Sequence, residues 1–546
     1  MFCRKLIKMA KRSNISLIII CTVLSLITNF PSGYTNATVN TAVTSVERYI
    51  RESYRLRGQN ITEDSVALVK GAVINCWFIV MVFGACCTPY ITDTLGRKIG
   101  YIIAVVVAIV AAIIQYVSVL FHLPEVFILG RSMTAFCSPL ADACLLLYLQ
   151  EVSPLSIRGM ASFLCEIGYG AMVVLGMVLG MSAVLGGALD ILMLVPLVPL
   201  TLSLIFLMFI PETPKFLMIM RGDREKALRS LEFFRGDEKE NERLLDDYER
   251  EKLQEANQER SSLKEIFKTW NLRQAVYLAS SVLFLTWSFY PMLTSSTSFF
   301  KDSNIHHTVA EMMSALLMVV FTIASVIGAS FVDKYPRRFL VIFSGILSNY
   351  SCTASVFPFA LFNRYALSRA LLYCVPPTIF TGETDRKTIF LVLFAVFSML
   401  AYTAPWMKYA CIASAVCYCV SFGMVLGPVS WFVAPELVPL KHKSLVFSLC
   451  FGANNVFIAI TDFLAIVLFQ KYGAIVFIGL FTIPSLICLI YVYMYLPETK
   501  GKEIDGIIEE MLKKAKKAPL KIEESSQRVR GGYQVFATES STTAVP

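Results

Sequence analysis

The feature that most constrains this chain is a succession of apolar runs, each long enough to cross a bilayer as a helix, for which about 20 residues suffice. They fall at about 15–30, 66–90, 99–121, 126–149, 160–183 and 189–210. A second set falls at about 274–296, 312–332, 339–362, 409–434, 444–469 and 474–496. Composition agrees, with 56% of the 546 residues hydrophobic and only 16% charged, where a soluble domain carries about a quarter charged. An ordinary cytosolic enzyme is excluded, and so is a disordered or collagen-like chain. The pattern predicts an all-α polytopic membrane protein of 12 transmembrane helices, with the lipid bilayer as its main surroundings.

The formal net charge of +9 lies in the turns between the runs and not on a basic domain interleaved with aromatics, so no nucleic-acid partner is expected. The cysteines, Cys86, Cys87, Cys417 and Cys419 among them, form no C-x-x-C pair and no His-containing spacing for a metal. No metal and no cofactor are expected. His122, His306, His307 and His442 fall at span ends or in loops, away from any nucleophile, which argues against an enzyme.

Five basic residues (Arg4, Lys5, Lys8, Lys11, Arg12) precede the first run, and no small-x-small cleavage site follows it. The run therefore reads as a first span with a cytoplasmic N-terminus over 1–14. A first six-helix half covers 15–210 and a second 273–497. Between them, 211–272 mixes charges of both signs with interleaved Leu and Phe, predicting short amphipathic helices as a cytoplasmic insert. The tail 498–546 opens with one more such helix, Ile504–Lys516, and continues as a polar segment. Both termini are expected in the cytoplasm and the plasma membrane is the expected location; the sequence fixes no oligomeric state. In the extracellular loop at about 35–65, Asn60-Ile-Thr62 is the expected glycosylation site, while the sequons at Asn14, Asn36 and Asn349 read as chance matches.

The two halves repeat each other. Asp93-Thr-Leu-Gly96-Arg97-Lys98 after the second span has its partner in Asp333-Lys-Tyr-Pro-Arg337-Arg338 after the eighth. Glu151-Val-Ser-Pro-Leu-Ser-Ile-Arg158 after the fourth matches Glu436-Leu-Val-Pro-Leu-Lys-His-Lys443 after the tenth, and Pro211-Glu212-Thr matches Pro497-Glu498-Thr after the twelfth. Acids and bases in such turns can pair with one another and with helix ends. Pairs across the halves would close the cytoplasmic side and would separate when it opens, so these residues are the candidate cytoplasmic gate.

In these repeats the chain resembles the sugar porter branch of the major facilitator superfamily, most closely the facilitative glucose transporters. Further motifs carry the likeness: Ile128-Leu-Gly-Arg131 opening span four, Pro214-Lys-Phe-Leu217, Ser296-Thr-Ser-Phe-Phe300, Pro405-Trp-Met407 and Gly427-Pro-Val-Ser-Trp431. The resemblance runs from about 15 to 516. It implies the major facilitator fold in two six-helix halves, a solute carrier working by alternating access, and a small-molecule substrate such as a hexose-like sugar. It also adds Arg131 to the gate and places the substrate among Glu166, Tyr290, Trp431 and Asn454. In that set Glu166 stands where the family has Gln, Tyr290 near an expected Asn, and Gly423 at the usual Glu. A non-sugar or cationic organic solute, proton coupling, and a transport-inactive nutrient sensor therefore stand as alternatives.

Asp142, Glu166 and Asp462 are acids within spans, and Lys70 opens span two. A charge at mid-bilayer costs about 3 kcal/mol and faces a cavity or a partner. Asp142 and Glu166 are candidates for coupling; a structural pair such as Lys70 with Asp142 is the alternative. Finally, Asp333 to Glu436 spans 103 residues against 58 for Asp93 to Glu151. The excess falls at about 363–404 and gives three apolar candidates where parity requires an even number. A segment that is re-entrant or lies on the extracellular surface, a fourth span at 365–382, or a gene-model artefact would each restore it.

Overall fold

The computed structural model describes residues 12–154, 158–236, 240–256, 263–302, 305–329, 335–362, 407–472, 476, 478–499 and 504–516. Among these residues all the regular secondary structure is helical, and ten helices are long and apolar enough to cross a membrane. Two more, Arg337–Phe362 and the broken helix 407–436, complete twelve. Large apolar side chains such as Phe83, Val198, Phe209, Phe343 and Ile487 stand exposed around the bundle, as lipid in place of water permits.

Spans two to five are helices Glu63–Thr94, Arg97–Leu120, Pro124–Val152 and Arg158–Gly180; span six runs 189–209. Spans eight, nine and eleven are His307–Gly328, Arg337–Phe362 and Leu440–Tyr472, and span twelve ends as Ile483–Tyr495. Span one is interrupted: Arg12–Asn29, a π-helical turn Phe30–Tyr34 holding Pro31, then Thr35–Thr41. Its repeat partner, span seven, breaks between Trp270–Phe284 and Phe289–Asp302. Span ten has a π-helical turn at Phe422–Leu426 before Pro428. Such interruptions release backbone groups and let a helix bend.

The insert folds as four helices, Pro214–Ile219, Arg224–Arg235, Glu240–Ala256 and Leu263–Lys268. The first three pack through Met218, Leu231, Leu245 and Tyr248. Asp223 caps the second, its carboxylate accepting the Lys226 N–H at 3.0 Å. Arg224 holds the third through Asp246 (2.8 Å) and Glu249 (3.2 Å).

The segment expected as a loop at 35–65 is largely helical. Span one runs on to Thr41, and a helix follows at Val43–Leu56. That helix buries Val46, Tyr49 and Ile50 and turns Arg51, Glu52 and Arg55 outward, an amphipathic pattern that the density of charge conceals. Asn60 is exposed and outside any helix, whereas Asn36 is buried within span one.

Span nine starts beside the end of span ten, where Arg337 and Glu436 pair, and the two spans pack along their length. Residues 362 and 407 therefore lie at the same end of the bundle, away from the insert. The apolar run 388–404 lies outside the described residues. Whatever number of crossings 363–406 makes, its two ends emerge on one side, so spans nine and ten preserve parity.

The halves meet along span two with span eleven, span five with span eight, and the outer part of span one with span seven. Trp77, Phe78 and Ala135 from the first half share one apolar cluster with Trp287, Phe299 and Ile458 from the second.

Candidate functional site

At the insert end each half carries the same bonded turn. In the first, Glu151 accepts from Arg97 Nη2 at 2.9 Å and from Thr213 Oγ1 at 2.5 Å. Glu212 accepts the Lys98 N–H at 3.0 Å, and Lys98 Nζ donates to the Met208 carbonyl. In the second, Glu436 pairs with Arg337 and accepts from Thr499 Oγ1 at 2.7 Å. Glu498 accepts the N–H groups of Arg337 (2.9 Å) and Arg338 (3.1 Å), and Arg338 Nη2 donates to the Tyr493 carbonyl. Gly96 is required in the first turn: its φ is +104°, and a Cβ there would lie 2.5 Å from Glu212 Oε2.

These bonds lie within each half, where the sequence suggested pairing across the halves. Asp93 is exposed, with Thr92 Oγ1 at 3.4 Å. Asp333 and the side chains of Arg158 and Lys443 lie outside the described residues.

Arg131 does not belong to this group. It stands two turns into span four at the opposite end, about 30 Å along the helix from Glu151. Its guanidinium is buried, donates to the carbonyls of Val73 (2.9 Å) and Thr35 (2.8 Å), and lies over the Trp77 ring. It ties spans one, two and four together. Opening a span is a poor guide to which end of the bundle a residue occupies.

The end away from the insert is bonded across the halves. Asn40 of span one donates to the Leu293 carbonyl (2.8 Å) and Ser296 Oγ (2.9 Å) and accepts the Thr297 N–H (3.1 Å), all on span seven. Beside it, Lys301 Nζ donates to Thr44 Oγ1 at 2.7 Å, and Thr44 Oγ1 lies 2.7 Å from His307 Nε2. His307 Nδ1 lies 3.0 Å from Glu311 Oε1, while Glu311 Oε2 accepts from the Ser182 N–H and hydroxyl. This end is closed. Sequence reasoning did not select Asn40, Thr44 or Glu311, because their partners are 253, 263 and 129 residues away.

In the middle, Asp142 and Glu166 on spans four and five lie within electrostatic reach of each other and of Tyr169 and Tyr290. Both are half-buried. Lys70 does not neutralise Asp142. Lys70 Nζ pairs with Glu47 at 2.7 Å, a residue of the helix taken for loop. Among the described residues, Asp142 is met by Ser138 Oγ at 3.4 Å, one turn back on its own helix. Asp462 is fully buried and is met at 3.3 Å by Thr294 Oγ1.

Of the expected substrate set, Tyr290 packs edge-on to Phe78 across the halves. Trp431 packs on Phe447 and Phe451. Asn454 is fully buried and accepts the Trp287 indole N–H at 3.0 Å. Trp287, not selected from the sequence, thus stands closest to Asn454. Position 423 has no room for a side chain, since a Cβ there would lie 2.6 Å from the Phe321 carbonyl oxygen. Instead, Phe422 stacks on Phe289 with ring centres 4.0 Å apart.

Two six-helix halves, closed at one end and joined around half-buried polar groups, define a multi-pass membrane transporter of the major facilitator fold and not an enzyme. The family described as "Sugar (and other) transporter" matches residues 18–373 and 382–511, and the chain belongs to it. Among curated relatives, facilitated glucose transporter member 2 of solute carrier family 2 from Gallus gallus is 25% identical, covering 75% of this chain and 69% of its own length. Member 7 from Mus musculus is 23% identical and covers 87% of this chain and 85% of its own. Among solved structures, the proton:xylose symporter XylE bound to 6-bromo-6-deoxy-D-glucose aligns with TM-score 0.65 at 17% identity, over 90% of this chain and 98% of that one. An inward open conformation of the xylose transporter XylE from E. coli gives 0.64 at 16% identity, over 91% and 99%.

Proposed function

We propose that the protein is a facilitative carrier of a hexose-like sugar, held midway between the halves and passed across by alternating access. The observation that carries this reading is the asymmetry of the two ends. Hydrogen bonds from Asn40 and Ser182 cross between the halves at the far end, whereas the repeated turns at the insert end bond within their own halves. Such a molecule is closed on one side, and rocking the halves exchanges far-end bonds for contacts at the other. Glu151, Arg97, Glu436 and Arg337 act by keeping each half rigid on the insert side while it moves.

The orientation that fits the basic N-terminal flank puts the insert and both termini in the cytoplasm, of a plasma membrane cell face. Asn60 then faces outward. Amide, hydroxyl and aromatic groups at the centre suit a hydroxylated ring. Uptake of labelled hexoses, polyols and organic cations into proteoliposomes tests the reading: saturable hexose uptake without an ion gradient supports it. Uptake of cations alone would favour the second reading, a cationic organic solute, for which Asp142 and Glu166, without a basic partner among the described residues, speak.

A further inference from the structure

The amide of Asn454 is half used. Its carbonyl accepts the Trp287 indole N–H at 3.0 Å, while its Nδ2, completely buried, has no hydrogen-bond partner among the described residues. A buried donor left unpaired is costly, and one at the junction of the halves points to a ligand that completes it. Trp287 is held in place from two sides, by Phe284 with ring centres 4.2 Å apart and by Phe457 at 5.2 Å with near-parallel planes. It belongs to the cluster that also contains Trp77 and Phe78 of the first half.

We propose that Trp287 is a specificity-determining residue of the transport site, because its indole engages the buried Oδ1 of Asn454 in place of a substrate hydroxyl and leaves Nδ2 as the unpaired atom of the amide for the substrate. This deepens the proposed function and rests on its placing the substrate between the halves. A free amide binds two neighbouring hydroxyls, donating to one and accepting from the other. A capped amide recognises an acceptor oxygen and ignores a neighbouring hydroxyl hydrogen. Span ten supplies no replacement acceptor from position 423, which is packed against Phe321. The substrate class selected is a hydroxylated ring that presents one acceptor oxygen here and needs no second hydroxyl beside it. Deoxygenated or alkylated rings pass this corner as well as the parent sugar.

The test compares the full-length wild type with Trp287→Phe in proteoliposomes, using D-glucose and its monodeoxy analogues. Phenylalanine keeps an aromatic ring between Phe284 and Phe457 and removes only the donor; Trp287→Leu serves if that variant fails to reach the membrane. The readout is the ratio of kcat/KM for glucose to that for each analogue, which a general folding defect does not change. The expected result is that the variant discriminates against at least one analogue about five-fold more strongly than the wild type. Unchanged ratios, with uptake intact, overturn the inference and leave the hexose reading standing. Uptake by the variant but not by the wild type supports the inference and removes the hexose reading. If neither protein moves any of the panel, both fall.

Discussion

Glu212 and Glu498 perform one task in opposite halves: each carboxylate caps the first turn of a span, Glu212 accepting the Lys98 N–H of span three and Glu498 the Arg337 and Arg338 N–H groups of span nine. A helix start carries partial positive charge and unpaired donors, so a carboxylate satisfies both. Glu212→Ala and Glu498→Ala should each cost about 1 kcal/mol, and the double variant should lose roughly the sum, because the sites share no partner. Thermal unfolding in detergent measures this. Strong non-additivity would show that the two turns communicate.

Glu212 also gives a pH dependence. Burial raises its pKa above the ordinary carboxylate value, against the opposing N–H groups of Thr213 and Lys98 and the charge of Arg97. With the folded value above the unfolded one, the ionised form is penalised at neutral pH, and the penalty fades as pH falls through the raised value. Wild type should therefore gain stability relative to Glu212→Gln as pH drops from about 7.5 towards 5. Asp223 behaves oppositely. Its bond to Lys226 lowers its pKa, so its cap persists above the ordinary carboxylate range and is lost only as pH falls through the depressed value. Melting curves across pH check the first, and hydrogen exchange in the helix Arg224–Arg235 the second.

Breaking the part-buried pair of Arg97 and Glu151 should destabilise the first half by about 3 kcal/mol, since the remaining charge is left without its partner. Arg97→Ala should cut transport while surface expression persists, because the first half no longer moves as a rigid unit. Unchanged transport would remove this turn from the rigid-half account.

The far-end bonds make the converse prediction. Asn40→Ala leaves buried groups on span seven unpaired only in the closed state, at about 1–3 kcal/mol. Cysteines placed near Ser296 should then react faster with an impermeant reagent added outside, by roughly ten-fold. No change would mean that Asn40 does not hold this end shut.

Glu166→Gln separates coupling from packing. A facilitator should keep its uptake with glutamine at this position and show no dependence on an inward pH gradient. Uphill accumulation driven by that gradient in the wild type, abolished in the variant, would overturn the facilitator reading.

The spans and the repeated turns were legible because their signals are local: long apolar runs, and acids and bases at fixed spacing. Partnerships were not. The motif Asp93 to Lys98 shows that Arg97 needs an acid, but only the fold chooses Glu151 of its own half. Lys70 was matched with Asp142 because both lie in spans, whereas its partner Glu47 sits on an amphipathic helix whose many charges hide its buried face. Trp287 and Asn454 meet across 167 residues, and nothing near either residue announces the other. Arg131 misled because a flanking charge says nothing about which end of the bundle it flanks.

The shared exit and return of the chain at 362 and 407 makes these two chain positions natural reporter points. An epitope inserted directly after 362 or directly before 407, in the orientation proposed, would be stained by antibody on living, unpermeabilised cells, whereas one in the insert would be stained only after the membrane is opened. A pair of tags at these two places would read out the sidedness of the whole molecule without disturbing a single span.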